Sequence, residues 1–281
     1  MKNRIVLTAM AVGLCCAGCF KHREAPPRPV TASSLEEAAQ KRAEIECLNL
    51  AGQEISALPR ELAAMPKLSV LWLRGAKGLT EFGVLSDLKA LKRLDLSALG
   101  SKAVPPEVCG LKELEHLYLA DNALTALPPA IGGLSKLSYL NLDRNPLSSL
   151  PNELGALSEL RWLRLNQNAL TSLPLSCANL KRLQRLYLRG NRFDHVPACL
   201  KDLPLLEDLC LSQNPIKTLP DWLTALPKLR QLDLDGCPLG ALPANLSGWK
   251  RLQVLSLVRC PLPDEERARI SAALPDTHIA F

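Results

Sequence analysis

The stretch LSYLNLDRNPLSSLPNELGALSE, Leu137–Glu159, lays out one structural unit. Leucines stand at 137, 140, 142, 147, 150, 154 and 157, with Asn145 and Pro151 among them. A shift of 23 residues in either direction returns the pattern. The first apolar position falls on Ile45, Leu68, Leu91, Leu114, Leu137, Leu160, Leu183, Leu206, Leu229 and Leu252, ten starts with nothing inserted or lost. A fixed period of roughly 20–29 residues carrying LxxLxLxxN marks a solenoid of stacked units.

The spacing dictates the local structure. Leu140 and Leu142 alternate with polar or aromatic neighbours, as in a strand with one buried face. One unit cannot bury its own leucines, so neighbours stack and form a continuous parallel sheet. Asn122, Asn145, Asn168, Asn191 and Asn214 share the slot after the strand, where an amide can satisfy the backbone of a tight inward turn. The Leu-Pro pairs at 127–128, 150–151, 173–174 and 219–220 open the return segment. Proline fixes φ and lacks a donor, which suits the start of a short helix or 3₁₀ turn. Strands about 4.8 Å apart against wider convex turns impose curvature. The expected fold is therefore α/β: a horseshoe with a concave parallel sheet, short helical or 3₁₀ convex segments and a cap at each end.

These units resemble the LPxxLxxLxxLxxLxLxxNxLxx repeats of the leucine-rich repeat family, of the 23-residue kind found in Ras-suppressor-like, plant intracellular Ras-group and many bacterial proteins. The resemblance covers roughly residues 45–281. It implies a non-enzymatic protein-interaction scaffold and leaves the partner open.

Composition agrees with one elongated array. The chain is 47% hydrophobic but only 4% aromatic, which fits a core built of leucine. A formal charge of +6 is too weak and diffuse to argue for nucleic acid.

Residues 1–18 read as an export signal: Lys2 and Arg4 form a basic start, and Ile5 to Leu14 is an apolar run too short to span a bilayer. Cys16-Ala17-Gly18-Cys19 resembles a bacterial lipobox, with Cys16 where that motif usually has leucine. The resemblance implies cleavage before Cys19, lipid on its thiol and a membrane anchor. Phe20 and Lys21 lack the aspartate that retains such proteins in the inner membrane, so the outer membrane is favoured, with a periplasmic or secreted form as the alternative. Residues 19–33 are expected to form a proline-rich tether. Ser34 and Glu37 can form a capping box for a helix over 34–44 that covers the first repeat. The repeats occupy 45–263. Residues 264–281 are expected to supply a helix, Glu265–Ala273, and a last edge strand within Thr277–Phe281.

No catalytic or metal constellation emerges from the sequence, and no cofactor is implied. Beyond Cys15, Cys16 and Cys19, seven cysteines remain, an odd number that argues against a full disulfide framework. Cys237 and Cys260 share one slot in adjacent units, close enough for a bond. The favoured reading is two buried weak donors in the asparagine slot. Cys177 and Cys199 lie on neighbouring convex segments, a second pair for which a bond is the less favoured reading. Of the histidines only His116 points into the concave face, and Cys210 lies four repeats away, on the order of 19 Å. Nucleophile and base do not meet.

The concave face follows from the period-two alternation. It carries Trp72, His116, Tyr118, Tyr139, Asp143, Trp162, Arg164, Arg185, Tyr187 and Arg189, with Asp208, Asp233 and Asp235 at the C-terminal end. Tyr, Trp and Arg dominate binding hot spots. The alternative is that these side chains only stabilise the sheet as cross-strand pairs. The sequence thus points to a monomer on the cell envelope that binds a protein or peptide ligand. An envelope structural or glycan-binding protein and a host-directed effector are the other readings.

Overall fold

The computed structural model describes residues 29–281. The export signal, the lipid on Cys19 and most of the tether lie outside the described residues.

Among the described residues twelve strands form one parallel sheet in which spatial order is sequence order. After β1 (Thr31–Ala32) come β2 (Cys47–Asn49), β3 (Val70–Trp72), β4 (Arg93–Asp95), β5 (His116–Tyr118), β6 (Tyr139–Asn141) and β7 (Trp162–Arg164). β8 (Arg185–Tyr187), β9 (Asp208–Cys210), β10 (Gln231–Asp233), β11 (Val254–Ser256) and β12 (His278–Ala280) complete it. Repeat strands pair residue i with i+23, as in Tyr139 with Trp162 and Asn141 with Arg164. The central leucine of each repeat strand is buried and its two neighbours face the concave side. Short 3₁₀ helices, from Arg60–Ala64 to Ser247–Trp249, form the convex side. One continuous leucine core lies between the two layers.

The asparagine slot works as expected. Asn191 Nδ2 donates to the Leu165 and Leu188 carbonyls at 2.8 and 2.9 Å, and its Oδ1 accepts from Leu170 N at 3.1 Å. Cys237 and Cys260 continue the ladder: their thiols donate to the Leu211 and Leu234 carbonyls at 3.3 and 3.2 Å. Burial pushes both thiols up to about 11. All seven described cysteines are free.

The residue before this slot adopts the left-handed conformation in every repeat: Gly52, Gly75, Ala98, Asp121, Arg144, Gln167, Gly190, Gln213, Gly236 and Arg259. Left-handed backbone costs a non-glycine residue about 1 kcal/mol, and the ladder bonds beside it hold the turn closed.

The ends refine two boundaries. The tether expected over 19–33 yields its last residues to the sheet. β1 pairs Thr31 and Ala32 with Cys47 and Leu48 because the Val30 carbonyl accepts from Glu46 N and Cys47 N, and the small Ala32 side chain is buried. The first helix, α1, is shorter than expected, Leu35–Gln40, and gives way to a turn at 41–44. Ser34 Oγ caps it through Glu37 N at 3.1 Å, while the Glu37 carboxylate reaches Ser33 N at 2.9 Å rather than its own cap. At the other end α2 spans Asp264–Ala273 and leads into β12. Glu266 accepts from Leu242 N, and Arg269 donates to the Leu242, Pro243 and Ala244 carbonyls, clamping this cap to the ninth repeat.

Candidate binding site on the concave face

The strand register assembles a run of rings. Trp72 and Tyr118 occupy one column two strands apart, with the short Asp95 between them, and their ring centroids meet at 5.7 Å above it. Tyr118 lies 4.9 Å from Tyr139, which lies 5.7 Å from Trp162; His116 flanks Tyr139 at 5.8 Å. Tilted and edge-on contacts of this kind contribute about 0.5–1.5 kcal/mol each beyond burial. The result is a contiguous half-buried shelf from β3 to β7.

Two arginines extend the shelf. Arg185 stacks 4.6 Å above the Trp162 ring, with its Nε 3.0 Å from Asp208 Oδ2. Arg164 lies 5.2 Å over Tyr187 and pairs with Asp143 at 2.7 Å. Each guanidinium is held on one side by a ring and on another by a carboxylate, so little side-chain freedom is left to lose on binding. Arg189 is exposed and donates to Gln213 Oε1 at 3.2 Å.

One expected contact residue belongs underneath the surface. Asp143 has a side chain only 3% exposed, and its oxygens accept from Arg164 and from Asn166 N. It positions Arg164 and is not itself available to a ligand, because its short side chain ends at the turn where the next strand's amide reaches it. The acidic end is likewise largely committed: Asp208 to Arg185, Asp233 to the Cys210 thiol and Asp235 N, Asp235 to Ser256 and Val258 N.

Protonation states suit recognition. Burial pushes the Tyr139 phenol up to about 12 and raises Tyr187, so both are neutral donors. Burial and the nearby Arg93 lower His116, leaving its ring uncharged at neutral pH. Cys210 is pushed up to about 12 by burial and by Asp233 and is a thiol, not a nucleophile. His116 on β5 and Cys210 on β9 stay apart.

Two recesses flank the shelf. One, of about 1000 Å³, lies at the strand starts against His116, Tyr139, Trp162, Arg161 and Gln184. The other, of about 710 Å³, lies towards the C-terminal strands against Arg164, Tyr187, Arg189, Asp208 and Asp233. Arg161 and Gln184 were not among the sequence candidates. They precede their strands by one residue, and the alternation argument starts one position later.

A leucine-rich repeat region model matches residues 129–232, and two further leucine-rich repeat models match 89–147 and 228–249, together running from 89 to 249. No curated protein matches the chain. Among solved structures, an internalin from Listeria monocytogenes is 24% identical with a TM-score of 0.74, over 88% of this chain and 70% of that one. A chain of the Toll–Spatzle complex of Drosophila is 24% identical with a TM-score of 0.69, over 77% and 30%. A plant peptide hormone receptor, RGFR1 in complex with RGF2, is 23% identical with a TM-score of 0.59, over 83% and 46%. At this identity the likeness establishes the fold.

Proposed function

Because the chain belongs to the leucine-rich repeat family, we propose that it is a non-enzymatic scaffold whose concave centre binds a protein or peptide partner. The observation that carries this reading is the continuous shelf Trp72–Tyr118–Tyr139–Trp162, extended by two arginines fixed through Asp143 and Asp208. Rigid aromatic anchors with pre-positioned guanidiniums are the composition of binding hot spots. The leader residues and the Cys16–Cys19 motif support placing the chain at the cell envelope, with lipid on Cys19.

Capture from envelope extracts tests this. The chain is compared with a variant carrying Tyr139→Ala, Trp162→Ala and Arg164→Ala, with circular dichroism as the check on folding. A partner retained by the parent and lost by the variant supports the site. Equal retention moves it off the concave face.

A glycan is the second reading, favoured by the run of rings and by the charge neutralisation of Arg164 and Arg185. Glycan-array binding that survives raised salt and is lost with Trp162→Ala would select it over an arginine-led protein interface.

A further inference from the structure

The repeat register sorts charges that look mixed along the sequence. Of the chain's 34 basic and 28 acidic residues, five basic (Lys2, Arg4, Lys21, Arg23, Arg28) and one acidic (Glu24) precede residue 29, so the described body carries +2. Yet the five-residue segments leading from each convex helix into the next strand, from 65–69 to 249–253, hold twelve Lys or Arg and four Glu, net +8. The 3₁₀ helices themselves hold six acidic and two basic residues. One lateral flank of the solenoid is thus strongly cationic beside an acidic convex side.

The flank is exposed, and most of its charge is uncompensated. Lys92 pairs with Glu115, Lys136 with Glu113 and Arg182 with Glu159. Among the described residues the other nine cations make no ion pair, and Lys228, Arg230, Lys250 and Arg251 cluster at the C-terminal end, where Glu207 is the one acidic residue of the adjoining flank segments and Arg230 also lies near Asp208. Nine segments one strand spacing apart make a row roughly 38 Å long.

We propose that this flank docks the solenoid sideways on an anionic phospholipid surface. The partner's chemistry follows from the charge and the extended row. Its identity rests on the envelope placement above: nine residues lie between Cys19 and Pro29, and those ten steps of extended chain reach about 35 Å at most, keeping the flank within range of a bilayer. Basic residues attract anionic headgroups individually and cumulatively, within about a Debye length of the surface. Docked this way, the solenoid lies along the membrane with its concave shelf opening sideways, and the recess at the strand starts, lined by Arg161 and Gln184, borders the lipid.

The test uses the full chain with Cys19→Ser, so that lipid plays no part, sedimented with phosphatidylglycerol–phosphatidylcholine vesicles and with phosphatidylcholine alone. Binding is expected only with the anionic lipid, and is expected to weaken with salt. Lys228→Glu/Arg230→Glu/Lys250→Glu/Arg251→Glu should lower it at least about tenfold. The same charge change on the opposite flank, Lys102→Glu/Arg192→Glu/Lys217→Glu/Arg259→Glu, should leave most of it. Equal loss in both variants, or no preference for anionic vesicles, overturns the proposal. So does displacement by a short DNA duplex at the same salt, which would assign the flank to nucleic acid. Mass analysis of Cys19 in the exported wild type tests the anchor separately.

Discussion

Arg164 reaches back one strand to Asp143, with Nε and a terminal nitrogen 2.8 and 2.7 Å from the carboxylate, and that carboxylate is buried while the arginine is half-exposed. The two halves of the pair are therefore unequal under mutation.

Removing Arg164 leaves a buried carboxylate that keeps only the Asn166 amide, whereas Asp143→Asn keeps the shape and loses the charge. Arg164→Ala is expected to cost about 1–3 kcal/mol, allowing for solvent on the arginine side. Asp143→Asn should cost less and still weaken partner binding, because Arg164 loses its orientation. Urea unfolding together with binding to the captured partner reads both; equal stability of Arg164→Ala and wild type would show that the pair is merely superficial.

The ladder can be probed where it is fully buried. Asn191→Ala leaves the Leu170 amide unpaired and removes one of two side-chain donors from each of the Leu165 and Leu188 carbonyls, which keep Asn168 and Asn214, and should destabilise by about 1–3 kcal/mol. Asn191→Cys, which imitates Cys237, should recover part of that because a thiol donates to the carbonyl one repeat back. The shift in urea midpoint at unchanged slope is the measure.

Convex segments approach so closely that a methyl group matters. A Cβ on Gly155 would run into the Ser176 carbonyl oxygen, whereas one on Gly110 would meet nothing within 4 Å. Gly155→Ala should lower stability by about 1–3 kcal/mol and Gly110→Ala should be near neutral. Thermal unfolding of the two side by side decides it.

Acid should loosen the C-terminal cap. The Arg269 guanidinium and the Leu242 amide hold the Glu266 carboxyl below its ordinary value. A carboxylate with a depressed folded-state pKa contributes stability that is complete above its unfolded value and disappears as pH falls through the folded one. Glu266→Gln should therefore be less stable than wild type at neutral pH, and the gap should close below about pH 4. A gap independent of pH would mean that the charge contributes nothing.

The fold was legible because one leucine pattern repeats without slippage from Ile45 to Leu252. The concave residues followed from alternation, and Tyr139, Trp162 and Arg185 meet as that alternation requires. Other features needed coordinates. Asp143 reads as surface by alternation, yet the turn folds its short side chain under Arg164. The left-handed column was visible only as glycines at 52, 75, 190 and 236, because six residues of four other types adopt the same backbone between and beyond them. The cationic flank is hidden in sequence order because its lysines and arginines come one or two at a time, 23 residues apart, while the acidic residues of the convex helices between them go to another face.

Since the order of strands in the sheet is the order of repeats in the chain, every residue has two addresses. Its place within the 23 fixes the face it serves, and the repeat number fixes its distance along the array. Duplicating or deleting a whole unit would move the arginine end relative to the aromatic shelf in steps of about 4.8 Å without turning any side chain to a different face. The molecule is in this sense a ruler whose markings can be respaced while its edges stay true.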